Sequence, residues 1–187
     1  MTAPNHDGHV LETRTFGRSI LAVTPGDITR FEADAIINAA NSAFAAGGGV
    51  DGAIRAAAGP ELSGEMRRRY PSGSPTGSAV STEAYALPAR WVIHCVGPVW
   101  SGGGQDKIDL LASAYANALR VADELGARTL ASPAISAGTF GFPADVAADV
   151  ALRTVRDHLL GGTGLERVTF VLRGAALETF TRRLPTI

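Results

Sequence analysis

The sequence predicts an α/β layer fold with a largely parallel or mixed central sheet in a single domain, and three observations carry that prediction. Short apolar runs of strand length alternate with helical patterns from Ser19 onward. Two of these runs open into glycine-rich loops that lead into helices, the arrangement expected at the carboxyl ends of parallel strands. With 187 residues the chain is long enough to bury a full core without disulfides or metals.

Residues 1–18 are polar, mixed in charge and without period. They read as a mobile leader with a strand near Glu12 to Phe16, which leaves 19–187 as the domain proper. Further strands are expected near Ile20 to Val23, Ala35 to Asn38, Ser78 to Glu83, Trp91 to Cys95, Thr129 to Ser132 and Val168 to Leu172. Ala53 to Ala58 has helical composition after the first glycine loop. The clearest helix runs from Asp106 to Leu125, where Ile108, Leu111, Tyr115, Ala118, Ala122 and Leu125 recur at three and four residues before Gly126 stops it. Another follows Pro143, with Ala147, Val150, Ala151, Val155 and Leu159 along one face. Ser72 to Gly77 and Ser101 to Gln105 read as loops, and no internal repeat divides the chain.

Composition excludes several functions. Seventeen basic residues against eighteen acidic leave a net charge of −1 with no Lys/Arg block of length, so no electrostatic footprint for a polynucleotide is present. The apolar stretches, such as Trp91 to Val96, are far shorter than a membrane span, and the first residues lack signal-peptide order. A soluble, cytoplasmic protein with no membrane partner is expected. The single cysteine, Cys95, lies in an apolar strand and reads as inert packing. Four histidines occur without HExxH or a cysteine partner, so no protein-built metal site is expected; no cofactor is expected either, and His94, on the same apolar strand, reads as a hydrogen-bonded core residue.

The chemistry-bearing region is 35–59. Ala35-Ile36-Ile37 leads to Asn38-Ala39-Ala40-Asn41, then to Gly47-Gly48-Gly49-Val50-Asp51-Gly52 and a helix. A glycine loop opening a helix presents bare N–H groups and the positive dipole end to an anion, which suits phosphate. Gly47, Gly49 and Gly52 formally match GxGxxG, but five residues intervene between Asn41 and Gly47 and no ribose-binding acid follows about twenty positions on, so a nicotinamide dinucleotide is disfavoured. A second junction, Thr129 to Ala134 followed by Ser136-Ala137-Gly138-Thr139-Phe140-Gly141, doubles the donor set. Together the two loops suit a diphosphate, and backbone amides replace the missing Lys and Arg.

The polar residues around these loops each have two readings. Asp27, in Gly26-Asp27-Ile28-Thr29, is an N-cap or an acceptor for an exocyclic base amine. Asn38 and Asn41 either hold ribose hydroxyls or shape the turn after a strand. Asp51 complements the helix dipole and can also orient or deprotonate water. Ser136 lacks a GxSxG setting and a His and acid relay, which argues against a serine hydrolase.

On these residues the chain resembles the macro domains, within them the MacroD-type branch that includes bacterial O-acetyl-ADP-ribose deacetylases. The resemblance spans Ile20 to Leu184 and rests on Gly26 to Thr29, Asn38 to Asn41, the triple glycine with Val50-Asp51-Gly52, Val92 to Trp100 and Ser136 to Pro143. It implies a three-layer α/β/α sandwich around a mixed sheet, with ADP-ribose in a cleft at the strand ends. By the same resemblance Asp27 takes the adenine amine and Ile28 supplies a backbone amide. Gly48, Gly49 and Val50, with Ser136, Ala137, Gly138, Thr139 and Phe140, cradle the diphosphate, while Asn41 holds the distal ribose beside Asp51. The implied reaction is hydrolysis of ester-linked ADP-ribose, from O-acetyl-ADP-ribose or from acidic side chains of mono-ADP-ribosylated proteins. The implied alternatives are a non-catalytic ADP-ribose reader and an ADP-ribose 1″-phosphate phosphatase. Departures from the pattern are Ala46 in place of a fourth glycine, Arg55 where relatives often carry histidine, and Leu172-Arg173-Gly174 where many place an aromatic. Arg173 either stacks its guanidinium on the base or is solvated.

Overall fold

The computed structural model describes residues 10–102 and 104–187. The first half of the expected leader and one glycine of the Ser101 to Gln105 loop lie outside that range. Seven strands form one sheet: β1 (Glu12–Phe16), β2 (Ser19–Pro25), β3 (Ala35–Ala40), β4 (Ala79–Glu83), β5 (Trp91–Val96), β6 (Thr129–Ser132) and β7 (Arg167–Leu172). The order is β1-β2-β7-β6-β3-β5-β4. The five central strands are parallel, and β1 and β4 close the two edges antiparallel to β2 and β5. The sheet is therefore mixed, as the alternation of runs and helices predicts.

Period-two alternation along the central strands divides the core. Ala35, Ile37, Ile93, Cys95, Leu130, Phe170 and Leu172 face one side, where they pack against α3 (Gln105–Glu124), α4 (Ala144–Leu160) and α5 (Gly174–Arg183). Ile36, Val92, Ala131 and Val171 face the other, against α1 (Gly49–Ala58) and α2 (Pro60–Arg69). Strands buried on both faces and helices apolar along one stripe yield the three-layer sandwich. Among the described residues no helix is long and apolar enough to cross a membrane.

The structure corrects some boundaries. β1 pairs with β2 through Glu12↔Val23 to Phe16↔Ser19, so a limit at residue 18 falls within a hairpin, and Phe16 is already a core residue. α1 starts at Gly49, four residues before the expected stretch, because the glycines themselves form its first turn. Gly126 ends α3 at φ 69° with its N–H on the Asp123 carbonyl, as its place after the periodic stretch implies. α2 and α5 go beyond the helices named from periodicity.

Candidate functional site

The loops after β2, β3, β6 and β7 all leave the carboxyl ends of parallel strands and meet in one cleft. β3 and β6 pair only through Ala35↔Leu130 and Ile36↔Ala131, so the two strands part before their ends and the glycine loops occupy the opening. The cleft has two lobes that share Gly49, Val50, Ala134 and Gly138 as walls. One, of about 510 Å³, is lined by Gly26, Asp27, Ile28, Ala53, Pro133, Ala137, Val171, Leu172, Arg173 and Ala176. The other, of about 390 Å³, is lined by Ala39, Asn41, Gly47, Gly48, Asp51, Ser136, Thr139 and Phe140.

In the larger lobe Asp27 is a turn cap that also forms part of the cleft wall. Its Oδ1 accepts from the Thr29 N–H (3.0 Å) and hydroxyl (2.7 Å), capping a 3-10 turn over Ile28–Arg30, while the side chain still borders the cleft. The Thr29 hydroxyl bond lowers the Asp27 pKa against the opposing effect of burial, helped by the Thr29 N–H and the Arg173 charge. Arg173 Nη2 stands 3.1 Å from Asp27 Oδ2, and its Nε donates to the Gly26 carbonyl (2.9 Å). That double contact holds the guanidinium at the rim of the lobe, with the side chain still 69% exposed.

Between the lobes stand the two loops. Gly48 caps α1 without a side-chain hydrogen bond and Gly49 sits at φ 57°, and the first N–H groups of the helix find no acceptor among the described residues. Opposite, Ser136 adopts φ 63°, a conformation an L residue seldom takes. The Phe142 N–H on the Ser136 carbonyl (3.0 Å), Gly141 N–H on Gly138 (2.9 Å) and Trp100 N–H on Phe140 (2.8 Å) brace this loop through its carbonyls. The N–H groups of Gly138, Thr139 and Phe140 find no internal acceptor among the described residues. Gly97 at the end of β5 makes room for it: a Cβ there would lie 2.3 Å from Ser136 Oγ and 2.5 Å from Ile135 Cγ2.

The smaller lobe holds Asp51. Its Oδ1 accepts from Asn38 Nδ2 (2.7 Å), and its Oδ2 accepts from the Gly47 N–H (2.7 Å) and Arg55 Nε (2.8 Å). Arg55 in turn donates to the Phe44 carbonyl and Ser63 Oγ (3.1 Å each), tying the loop, α1 and α2 together. Asn41 lines the lobe with its amide closed on the Ala45 backbone, Nδ2 to the carbonyl (2.8 Å) and Oδ1 from the N–H (3.1 Å). It shapes the turn and keeps one donor and one acceptor position spare.

Asn38 is not in the cleft. It is fully buried behind Asp51, because its position on β3 puts it on the face that packs under α1. Two residues that matter beyond the expected set are Arg55 and His94. Arg55 had a readable signal, since Asp51 and Arg55 are four apart on a helix. His94 is the hydrogen-bonded core residue expected, and its partners are Asn38 and Thr82. The apolar walls Val171, Leu172, Ala176 and Pro133 carry no sequence signal beyond their hydrophobicity.

A family model for the macro domain matches residues 37–151. A macro domain-containing protein of Streptomyces nogalater is 52% identical over 169 residues, 88% of this chain and 91% of that protein. One from Streptomyces coelicolor is 51% identical over 168 residues, 88% and 98% of the two chains. Among solved structures, the Oceanobacillus iheyensis macrodomain with ADP superposes at a TM-score of 0.87 with 35% identity, covering 94% of this chain and 95% of that one. The Trypanosoma brucei macrodomain in complex with ADP-ribose superposes at 0.80 with 35% identity, covering 87% and 68%.

Proposed function

The chain belongs to the macro domain family, and from that premise we propose that its cleft binds ADP-ribose and that it hydrolyses ester-linked ADP-ribose as a member of the MacroD-type branch. The dimensions and donors support this placement. The larger lobe suits adenosine, with Asp27 accepting from the base amine, Ile28 beside it and Arg173 at the rim. The outward N–H groups of 48–50 and 138–140 suit the diphosphate, and the smaller lobe suits the distal ribose beside Asn41 and Asp51.

One observation carries the enzymatic reading. A carboxylate has about four lone-pair positions, and three of those on Asp51 are filled: two on Oδ2 and one on Oδ1. The remaining position, on Oδ1, suits a water poised over the ester carried by the distal ribose. That water adds to the acyl carbon, its proton passing to Asp51 or to a substrate phosphate oxygen. The ribose oxygen then leaves protonated and the acid is released. The expected substrates are O-acetyl-ADP-ribose and proteins mono-ADP-ribosylated on Asp or Glu.

A reader function is the second reading, and the Arg55 contact favours it: a permanent cation occupies Oδ2 where relatives often carry a titratable histidine. Incubation with O-acetyl-ADP-ribose, followed by chromatography, separates the two. Release of acetate and ADP-ribose at catalytic enzyme supports hydrolysis; calorimetric binding of ADP-ribose with no product at enzyme excess supports the reader.

A further inference from the structure

Behind Asp51 runs a buried polar chain. β3 and β5 pair with Asn38 directly opposite His94, and neither side chain exposes any surface. Asn38 Nδ2 stands 2.7 Å from Asp51 Oδ1 and 3.2 Å from His94 Nδ1, and His94 Nε2 stands 2.9 Å from Thr82 Oγ1. An amide nitrogen only donates, so Nδ1 is the lone-pair nitrogen and the ring proton sits on Nε2, directed at Thr82. The two hydrogens of the Asn38 amide thus have separate acceptors, a carboxylate oxygen and a ring nitrogen.

We propose that His94 is a positioning residue: its Nδ1 lone pair fixes Asn38 with the amino group toward Asp51, and so keeps the last acceptor position of Asp51 Oδ1 directed into the smaller lobe. The inference deepens the hydrolase reading and rests on it. Asn38 Oδ1 is buried and finds no partner among the described residues, so the contacts that orient the amide are those on its nitrogen side, to Asp51 and His94. A half-turn of the amide would set its oxygen against the Asp51 carboxylate and the Nδ1 lone pair. Burial, with the Arg55 charge adding to it, holds the His94 pKa down to about 3, which keeps the ring neutral and Nδ1 free. The Phe44 ring closes over it at 6.1 Å. An aliphatic residue would fill this site on β5 without supplying the acceptor.

The test pairs His94→Leu with His94→Asn. Leucine keeps apolar bulk and removes the acceptor, whereas asparagine places a carbonyl oxygen near the position of Nδ1. We expect His94→Leu to lower kcat for O-acetyl-ADP-ribose about tenfold, with KM and ADP-ribose affinity unchanged, and His94→Asn to recover most of the loss. Native kcat in the leucine variant, or equal impairment in both, overturns the inference. Imidazole 15N spectra of the native chain give a readout that does not depend on turnover. The neutral ring protonated on Nε2 is expected from about pH 5 to about pH 8, with the Nδ1 signal moving on Asp51→Asn. A ring protonated on Nδ1 overturns the inference. If the native chain turns nothing over, the hydrolase reading falls by itself and the spectra alone decide how Asn38 is held.

Discussion

Asp51 is gripped from three directions, by a strand residue, a loop amide and its own helix, and this decides what its removal does. Asp51→Ala takes away one carboxylate and leaves the amide cradle, so turnover should fall by at least about 10²-fold while ADP-ribose affinity stays within a few-fold. Steady-state kinetics beside calorimetry check this, and unchanged kcat would remove Asp51 from the mechanism. Asp27 borders the other lobe, and on the proposed adenine contact Asp27→Ala should narrow the discrimination between ADP-ribose and its inosine analogue; discrimination equal to the native protein's would refute that contact. His94 makes stability depend on pH. Its folded pKa of about 3 lies below the ordinary 6.5, so between these values the unfolded chain binds the extra proton. The stability it contributes is complete above pH 6.5 and is lost as pH falls toward 3, by about 1.4 kcal/mol per unit. The charges around the ring are Asp51, Glu65 and Arg55. Urea unfolding from about pH 6.5 to about pH 4.5 should show a steeper loss in the native chain than in His94→Leu; parallel slopes would contradict the burial argument.

At the level of elements, the two glycine loops do different work. The first is a helix N-terminus left uncapped, while the second is a braced turn whose position depends on the bare Cα of Gly97. Gly97→Ala should therefore push Ile135 and Ser136 aside, costing about 1–3 kcal/mol of stability and weakening ADP-ribose binding, with the Asp51 hydrogen bonds untouched. Native affinity in that variant would show the loop to be compliant. The strands were legible as short apolar runs and the long helices by their spacing of three and four residues. α5 turns only Leu177 and Phe180 to the core, with Leu184 just past its end, too few positions in ten residues to show a period. α2 was not legible: Pro60 opens it, Gly64 lies within it, and its buried set is Leu62, Glu65 and Met66, too few apolar positions to show a period. Its helicity comes from packing over the sheet, since a helix this short has little stability alone.

For the whole molecule, the edges matter. β1 covers the outer edge of β2 and brings Phe16 into the core, so a chain starting at residue 19 should unfold at lower temperature than one starting at residue 10. Equal melting temperatures would place β1 outside the cooperative unit.

The sequence by itself determined the layer class, the strand positions, the two anion-suited loops and the candidacy of Asp27, Asn41 and Asp51, because turn chemistry and hydrophobic period act over a few neighbouring residues. Tertiary structure alone decided that Asn38 serves Asp51 from behind rather than facing the cleft. Its partners stand 13 and 56 residues away, and only the strand register and the packing of α1 bring them within hydrogen-bond reach.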